Sequence, residues 1–229
     1  VSGIVQVIVL LGPPGSGKGT QAKKLQEINP SWLHISTGDL FRKEIASGSA
    51  LGLSVKEIIA AGKLVSDDVT DSVFQSQVNQ LLKTFKPEAL ILDGYPRTAA
   101  QGRALILFSG ANAKLGTPIP LELMVPEQTL VQRLSDRLVN PRTSRVYHKV
   151  SNPPKKAGIC DDDGQPLVQR PDDRPEVIRD RYRLYVQERD GIVGALLPDP
   201  SDLVQLDGVG DPKEVSKRLT TAISQLTKA

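Results

Sequence analysis

Gly12-Pro13-Pro14-Gly15-Ser16-Gly17-Lys18-Gly19-Thr20 is the stretch whose reading decides the fold. It follows an apolar run, Val5 to Leu11, broken only by Gln6, and precedes the helical pattern Gln21-Ala22-Lys23-Lys24-Leu25-Gln26-Glu27. Strand, glycine loop and helix in that order are the context of a phosphate-binding loop. Glycine lets successive backbone N–H groups turn inward with no Cβ in the way. Those N–H groups and the helix N-terminus then cradle phosphate oxygens, and Lys18 adds a point charge. A plain Gly/Pro turn is the simpler reading. The glycines and the lysine fall at the spacings that phosphate binding requires, and this favours the cradle. One departure stands out: the residue directly after the lysine, where a Ser or Thr would bind Mg²⁺, is Gly19, and Thr20 comes one place later.

Outward from the loop, strand and helix patterns alternate. Val5–Leu11 reads as a buried central strand, with a helix after it from Gly17 to about Ile28. Trp32–Ser36 reads as a second strand, and Thr37 can cap a helix reaching Gly48. A helix over 50–61 has Leu53, Ile58 and Ile59 as its apolar side and stops at Gly62. Ser66-Asp67-Asp68 opens the next, to about Lys83, its acidic first turn suiting the helix dipole. Ala89–Asp93 is a core strand ending on an acid, followed by Gly94-Tyr95-Pro96-Arg97 and a helix from Thr98 to Phe108. A loop is expected over 110–120, then a strand over 121–125. Pro126 then starts a helix that would carry Arg133 and Arg137 on one face, four residues apart. Residues 140–174 lose the apolar pattern and are too long for a plain loop, so a small unit of short strands and turns is expected. Pro175 opens a helix to about Gly191, Leu203–Asp207 is a last strand, and Asp211-Pro212 opens a final helix with Val215, Leu219, Ile223 and Leu226 on one side. The pattern predicts an α/β fold: a doubly wound parallel sheet with helices on both faces. Such sheets bind ligands beyond the C-terminal ends of their strands.

Composition bounds the rest. The 229 residues are 39% hydrophobic and 24% charged, which suits a globular domain. A net charge of +3 gives no ground for a nucleic-acid or membrane partner. The single cysteine, Cys160, excludes an intrachain disulfide and points to a reducing compartment. No apolar run is long enough to span a bilayer, and the apolar N-terminal run reads as a strand and not as a signal peptide. A cytoplasmic location is expected, or an organelle if a targeting segment has been removed. The histidines, His34 and His148, form no nucleophile–base arrangement, and His34 reads as structural. Asp93 fits the place of a metal-side carboxylate, although a strand-end Asp in a turn would look the same. Arg133 and Arg137 could be solvated charge or an anion clamp. Phosphoryl transfer needs alignment, charge neutralisation and exclusion of water, for which a lysine, fixed arginines and a mobile insertion are suitable tools.

Several motifs then occur together in order: the glycine loop with Lys18-Gly19-Thr20-Gln21, then Ile35-Ser36-Thr37-Gly38-Asp39, Gly62-Lys63-Leu64-Val65, Asp93-Gly94-Tyr95-Pro96-Arg97-Thr98, and Arg145-Val146-Tyr147-His148. In this combination the chain resembles the adenylate kinase family in its long-lid form, over nearly its whole length. The resemblance implies a P-loop core of residues 1–35, 66–135 and 174–229, a monophosphate-binding insertion at 36–65 and a lid at 136–173, both closing over substrates. The implied reaction is reversible, MgATP plus AMP giving two ADP, with Mg²⁺ as the metal and a monomer as the working form. Carried over by position, Gly15, Ser16, Gly17, Lys18, Gly19 and Thr20 hold the ATP phosphates. Thr37, Arg42, Lys63, Val65, Gly94, Arg97 and Gln101 form the AMP site, Gln101 reading the adenine edge. Arg133 and Arg137 reach the ATP phosphates. Arg170 and Arg181 neutralise the groups between the substrates. Val146, Tyr147 and Gln205 lie near the ATP base, and Asp93 acts on Mg²⁺ through water. Asp172 and Asp173 hold closing arginines in place.

Some members of that family hold zinc in the lid. Here the matching places are Asn140, Thr143, Cys160 and Asp163, of which only two could be ligands, so no zinc and a polar hydrogen-bonded cluster are expected. Gln205 stands where several relatives have lysine. The alternatives are a UMP/CMP kinase or a GTP-using AMP kinase, and a nucleotide-binding module without turnover. Gln101 and the long lid argue against a pyrimidine, Gln21 against GTP, and the retained arginines against a module.

Overall fold

A computed structural model of the chain describes residues 3–227. The apolar run forms β1 (Val5–Leu11), and the glycine loop leads into α1 (Lys18–Ile28). There follow β2 (Trp32–Ser36), α2 (Thr37–Ser47), α3 (Ala50–Ala60), α4 (Asp67–Thr84), β3 (Ala89–Asp93) and α5 (Ala99–Ala111). The rest are β4 (Leu115–Met124), α6 (Glu127–Ser135), β5 (Arg137–Val139), β6 (Val146–His148), α7 (Pro175–Leu196), β7 (Val204–Asp207) and α8 (Pro212–Leu226).

The main sheet has the order β2-β3-β1-β4-β7 and is parallel throughout. This is the doubly wound α/β architecture that the alternating pattern predicts. The register aligns the C-terminal ends: Leu10 and Ser36 are both partners of Asp93, and Leu11 is the partner of Glu122. Ile8, Leu10, Ile91 and Leu121 of the sheet pack with Ala22 and Leu25 of α1 and with Leu219 and Ile223 of α8. Elsewhere in the core Phe74 of α4 stacks on Tyr95, ring centroids 4.1 Å apart. β5 and β6 pair antiparallel, and Val139 bridges Val168.

The chain divides into two compact units. The first holds the parallel sheet: the stretch through Gly38, Ser66–Val125, and the stretch from Tyr185 onward. The second takes in Asp39–Val65 and Pro126–Leu184, so residues 39–65 of the expected insertion and the expected lid fall in one unit, together with 126–135 and 174–184 of the expected core. Within it, Gly62 (φ +72°) ends the α3 segment against α7, where a Cβ would lie 2.5 Å from Val177 and 3.0 Å from Arg181.

Several expectations need correction. The loop expected over 110–120 is in part strand, because β4 begins at Leu115 and contains Pro118 and Pro120. β7 pairs with β4 only from Leu121, so both prolines occupy a stretch with one open edge, where a missing N–H is tolerated. α6 ends at Ser135, and Arg137 starts β5, so Arg133 and Arg137 do not share a helix face. The buried residues of α3 are Gly52 and Val55, while Leu53 is 67% exposed. Gly52 faces α2 so closely that a Cβ would lie 2.1 Å from the Glu44 carbonyl oxygen, and the apolar period alone gives no sign of this. α5 runs on to Ala111 and α7 to Leu196. Gly191 does not stop α7 because the helix packs there on α5: a Cβ on Gly191 would sit 3.1 Å from the Ala99 methyl, and one on Gly102 would sit 2.8 Å from the Ala195 methyl.

Candidate functional site

In the first unit the glycine loop lies at the end of the buried β1. Gly12, Gly15 and Gly17 take φ values of +136°, +85° and +101°, which only glycine adopts without strain. Lys18 folds back over the loop, donating to the carbonyls of Gly12 at 2.7 Å and Pro13 at 3.0 Å. Ser16 is buried inside the turn. A Cβ on Gly19 would lie 3.0 Å from Asp93 Oδ2, so the place a hydroxyl residue would fill is taken by the approach of that carboxylate.

Asp93 is the end of β3, and its side chain is 17% exposed with His34 Nε2 at 3.6 Å. Burial pushes its pKa up, but the His34 imidazole and the charges of Lys18 and Arg97 outweigh burial and bring it down to about 2. The carboxylate is therefore ionised at neutral pH and lies against the loop at Gly19.

After Asp93 comes Gly94 (φ +76°), whose carbonyl accepts from Thr37 Oγ1 at 2.7 Å and from Arg97 Nε at 2.8 Å. The next link is Gln101: its Oε1 accepts from the Arg97 N–H at 2.8 Å, and its Nε2 donates to Asp67 Oδ1 at 2.8 Å. Thr98 caps α5 and also donates to Asp67. Thr37, Gly94, Arg97 and Gln101 are thus one bonded chain. A carboxamide has two N–H groups and two lone pairs, so these bonds use one of each on Gln101. Asp67 had only a helix-dipole role in the sequence. Its second role is tertiary and left no signal there.

The second unit gathers arginines. Arg137 makes a two-pronged pair with Asp173, Nε at 2.8 Å and Nη2 at 2.5 Å. Arg181 binds the Asp172 carboxylate at 2.8 Å and its carbonyl at 3.0 Å. Arg42 donates to Asp39 at 2.7 Å, and Arg170 lies 3.9 Å from the same oxygen. Arg170 is 10% exposed. The Nε atoms of Arg42 and Arg170 are buried with no hydrogen-bond partner among the described residues. Burial first, then the charges of Arg137 and Arg42, lowers the pKa of Arg170 to about 9. Asp172 is shifted the other way: burial would raise it, but Arg181, Arg137, Arg170 and Arg42 hold it below the ordinary range. Asp172 and Asp173 are thus each paired with an arginine. Lys63 is exposed on this unit, Val65 buried and Arg133 half-buried.

The remaining residues divide. Val146 is half-buried, whereas Tyr147 is 1% exposed within the lid stretch, its hydroxyl accepting from the Asp161 N–H at 2.8 Å. Asn140 donates to Asp163 at 2.8 Å, its own oxygen accepting from the N–H groups of Arg142 and Thr143. Arg142 pairs with Asp163, and the Cys160 sulfur lies 3.5 Å from the Tyr147 hydroxyl. The Asn140 side chain presents a nitrogen, not a ligating oxygen, to Asp163. This set does not fit the four ligands of structural zinc. Gln205 lies in β7 beside Glu122 and donates to it at 2.9 Å. Glu122 is itself 1% exposed and takes further bonds from Tyr185 and Arg189. Sequence reasoning passed over this cluster, although a lone Glu in an apolar strand was its visible mark.

A family model described as Adenylate kinase matches residues 10–196. The chain is similar to an adenylate kinase of Kosmotoga olearia, 38% identical over 221 residues that cover 96% of this chain and 99% of that protein. It is similar to one of Fervidobacterium nodosum at 39% over 224 residues, covering 96% and 99%. One of Anaeromyxobacter dehalogenans (strain 2CP-1) is 41% identical over 214 residues, covering 91% and 95%.

Proposed function

The chain belongs to the adenylate kinase family and is a nucleoside monophosphate kinase, and on that premise we propose how its residues carry reversible transfer from MgATP to AMP, giving two ADP. Gly15, Ser16, Gly17, Lys18, Gly19 and Thr20 bind the ATP phosphates. Asp93 would hold the Mg²⁺ that accompanies ATP, through water and in place of the hydroxyl that Gly19 lacks, and the metal when bound would supply shielding of the phosphate charge. Thr37, Arg42, Lys63, Val65, Gly94, Arg97 and Gln101 bind AMP, Arg97 on its phosphate and Gln101 on its base. Arg133, Arg137, Arg170 and Arg181 neutralise the charge on the transferring group. Val146 and Gln205 lie near the ATP base, and so does the Tyr147 backbone, the Tyr147 ring being engaged within the lid.

The observation that carries this reading is the buried surplus of cationic groups in the second unit. Four guanidinium groups, Arg42, Arg137, Arg170 and Arg181, stand among three carboxylates, Asp39, Asp172 and Asp173. Two of the guanidinium groups keep a buried N–H unpartnered. An unpaired buried cation is costly, and a polyphosphate supplies the missing acceptors. Transfer then needs no covalent intermediate, only fixed charges and alignment.

Residues 36–65 and 136–173 are proposed to move separately from the core, the lid without zinc. No described helix is long and apolar enough to cross a membrane, and we propose a cytoplasmic monomer. Neither another base preference nor a module without turnover is favoured by the relatives. The test is ADP formation from MgATP plus AMP, with CMP, UMP and GTP substituted in turn. Activity confined to ATP and AMP supports the reading. Activity with another pair would keep the mechanism and overturn the substrate, and binding of ATP without turnover would overturn the enzyme. Arg97→Ala should cut turnover steeply in folded protein, and unchanged turnover would remove Arg97 from the site.

A further inference from the structure

One buried polar cluster, apart from its member Gln205, takes no part in the assignments above. Glu122 stands in β4 between apolar neighbours, Leu121 and Leu123, and is 1% exposed. A carboxylate there is tolerated only if its oxygens are filled. They are filled by three donors from two other elements. Tyr185 of α7 donates at 2.5 Å. Arg189, one turn further along the same helix face, donates from Nε at 2.9 Å and Nη2 at 2.7 Å. Gln205 of β7 donates at 2.9 Å. Burial pushes the Glu122 pKa up, but the bonds from Arg189, Tyr185 and Gln205 hold it below the ordinary range.

The placement of this cluster gives it a consequence. Glu122 is the register partner of Leu11, the last residue before the phosphate loop. At Gly12 the loop turns so tightly against β4 that a Cβ would lie 2.8 Å from the Leu123 carbonyl oxygen. Leu123, whose carbonyl the turn meets, is the residue next to Glu122 in β4. Gly12 in turn offers the carbonyl that holds Lys18. The cluster therefore anchors β4 at the residue beside the carbonyl on which the Gly12 turn packs, and Gly12 holds Lys18, all inside one unit.

We propose that Glu122, with Tyr185 and Arg189, positions the Gly12 turn and hence the Lys18 ammonium for phosphoryl transfer, and that the cation this carboxylate requires comes from α7 and not from β7. Arg189 and Gln205 reach the same oxygen, Glu122 Oε2. A lysine at 205 would start from the register partner of Glu122 and could supply the charge in place of Arg189. The proposal rests on the phosphoryl-transfer reading given above. These are positioning residues, since they act on the loop through β4 and take no part in binding the substrate.

The test uses the full chain with three variants: Tyr185→Phe, Arg189→Ala, and Arg189→Ala combined with Gln205→Lys. Activity of the unsubstituted protein tests the reading, and the variants test the positioning. Misplacing a reacting group by a fraction of an ångström lowers kcat more than binding, so Arg189→Ala should lose about 10-fold in kcat with KM for AMP within about 2-fold. Moving the charge with Gln205→Lys should restore at least half of that loss, a rescue that a merely bulk-filling role would not give. Tyr185→Phe keeps the ring and the fold; it should lower kcat several-fold and speed amide hydrogen exchange at Gly12 and Gly15. If Arg189→Ala does not fold, Tyr185→Phe decides alone. Parental kcat and parental loop exchange in folded Tyr185→Phe would overturn the proposal, as would a double variant no better than a folded, impaired Arg189→Ala.

Discussion

Replacing Gly94 with alanine tests the proposed AMP side of the site through one atom. Gly94 sits at φ +76°, and its added Cβ would lie 2.7 Å from Arg97 Nη2, 3.3 Å from Thr37 Oγ1 and 3.4 Å from Arg97 Nε. A non-glycine residue in the left-handed region costs about 1–2 kcal/mol. The clash adds to this. The guanidinium is the flexible partner, and to regain the ordinary contact of about 3.4 Å from 2.7 Å it has to retreat by roughly 0.7 Å. That retreat weakens the 2.8 Å bond from Arg97 Nε to the Gly94 carbonyl, a loss of about 1 kcal/mol. Stability should fall by about 2–3 kcal/mol in all, within what a folded domain tolerates. The effect on catalysis follows from geometry, because a misplacement approaching 1 Å can cost up to about 100-fold in rate. We expect kcat/KM for AMP to drop by about 30- to 100-fold and KM for ATP to stay within about 2-fold. Coupled-enzyme detection of ADP over a matrix of both nucleotides reads both quantities, and urea unfolding reads the stability. Adding Gly94→Ala to Arg97→Ala should cost little further activity, since the first change acts through the second residue. An AMP efficiency equal to that of the parent in the destabilised variant would refute the claim that Gly94 sets the aim of Arg97.

Three further outcomes are expected. Asp93 is held at about 2, below the ordinary 3.8, so the unfolded chain binds more protons than the folded one between these values; stability from this group is complete above about pH 4 and is lost as pH falls toward 2. That is worth about 2 kcal/mol, and the difference in unfolding free energy between the parent and Asp93→Asn should shrink by about this amount between pH 5 and pH 2.5 if the imidazole and Lys18 act as described. Gly102→Ala gains up to about 1 kcal/mol of helix propensity but brings its methyl to 2.8 Å from that of Ala195, so the sign should be net destabilisation of about 1–2 kcal/mol, checked by thermal unfolding; a stabilised variant would mean that α5 and α7 part without cost. Elemental analysis of the purified chain should find less than about 0.1 zinc per molecule, and chelator should leave Tm unchanged, because structural zinc requires four ligands.

How much was legible in the sequence depended on whether a feature is local. The phosphate loop could be read because its requirement, glycine at φ values closed to other residues, lies within a few consecutive positions. β1 and β3 could be read because a strand buried on both faces is apolar without interruption. The boundary errors arose where tertiary context overrides a local signal. Pro118 and Pro120 are strand breakers in isolation, and they are tolerated in β4 because its first half has β1 on one side and no ladder on the other. Arg133 and Arg137 have helical spacing, yet Asp136 closes α6 and Val139 is drawn into pairing with Val146 and Val168. Gly191 would be a plausible helix stop, except that α5 needs a residue without a side chain at that place.

Buried charge is a different case, and it limits what one sequence can reveal. Asp67, Glu122, Asp172 and Asp173 are all visible as acids. What each does depends on donors far along the chain: Asp67 on Gln101, 34 residues on, and Glu122 on Arg189 and Gln205, 67 and 83 residues on. Resemblance implied arginine partners for Asp172 and Asp173 without saying which. It did not supply those of Glu122, where the strand position opposite holds glutamine and the cation comes from a helix. A carboxylate inside an apolar strand has to be neutralised, since leaving it unpaired would cost several kcal/mol, so its presence alone implies a cation somewhere in the fold. The sequence therefore states that a partner exists and leaves its address to the packing. Here that address, beside the stretch of β4 on which the Gly12 turn packs, is what turns a stability requirement into a means of fixing the loop.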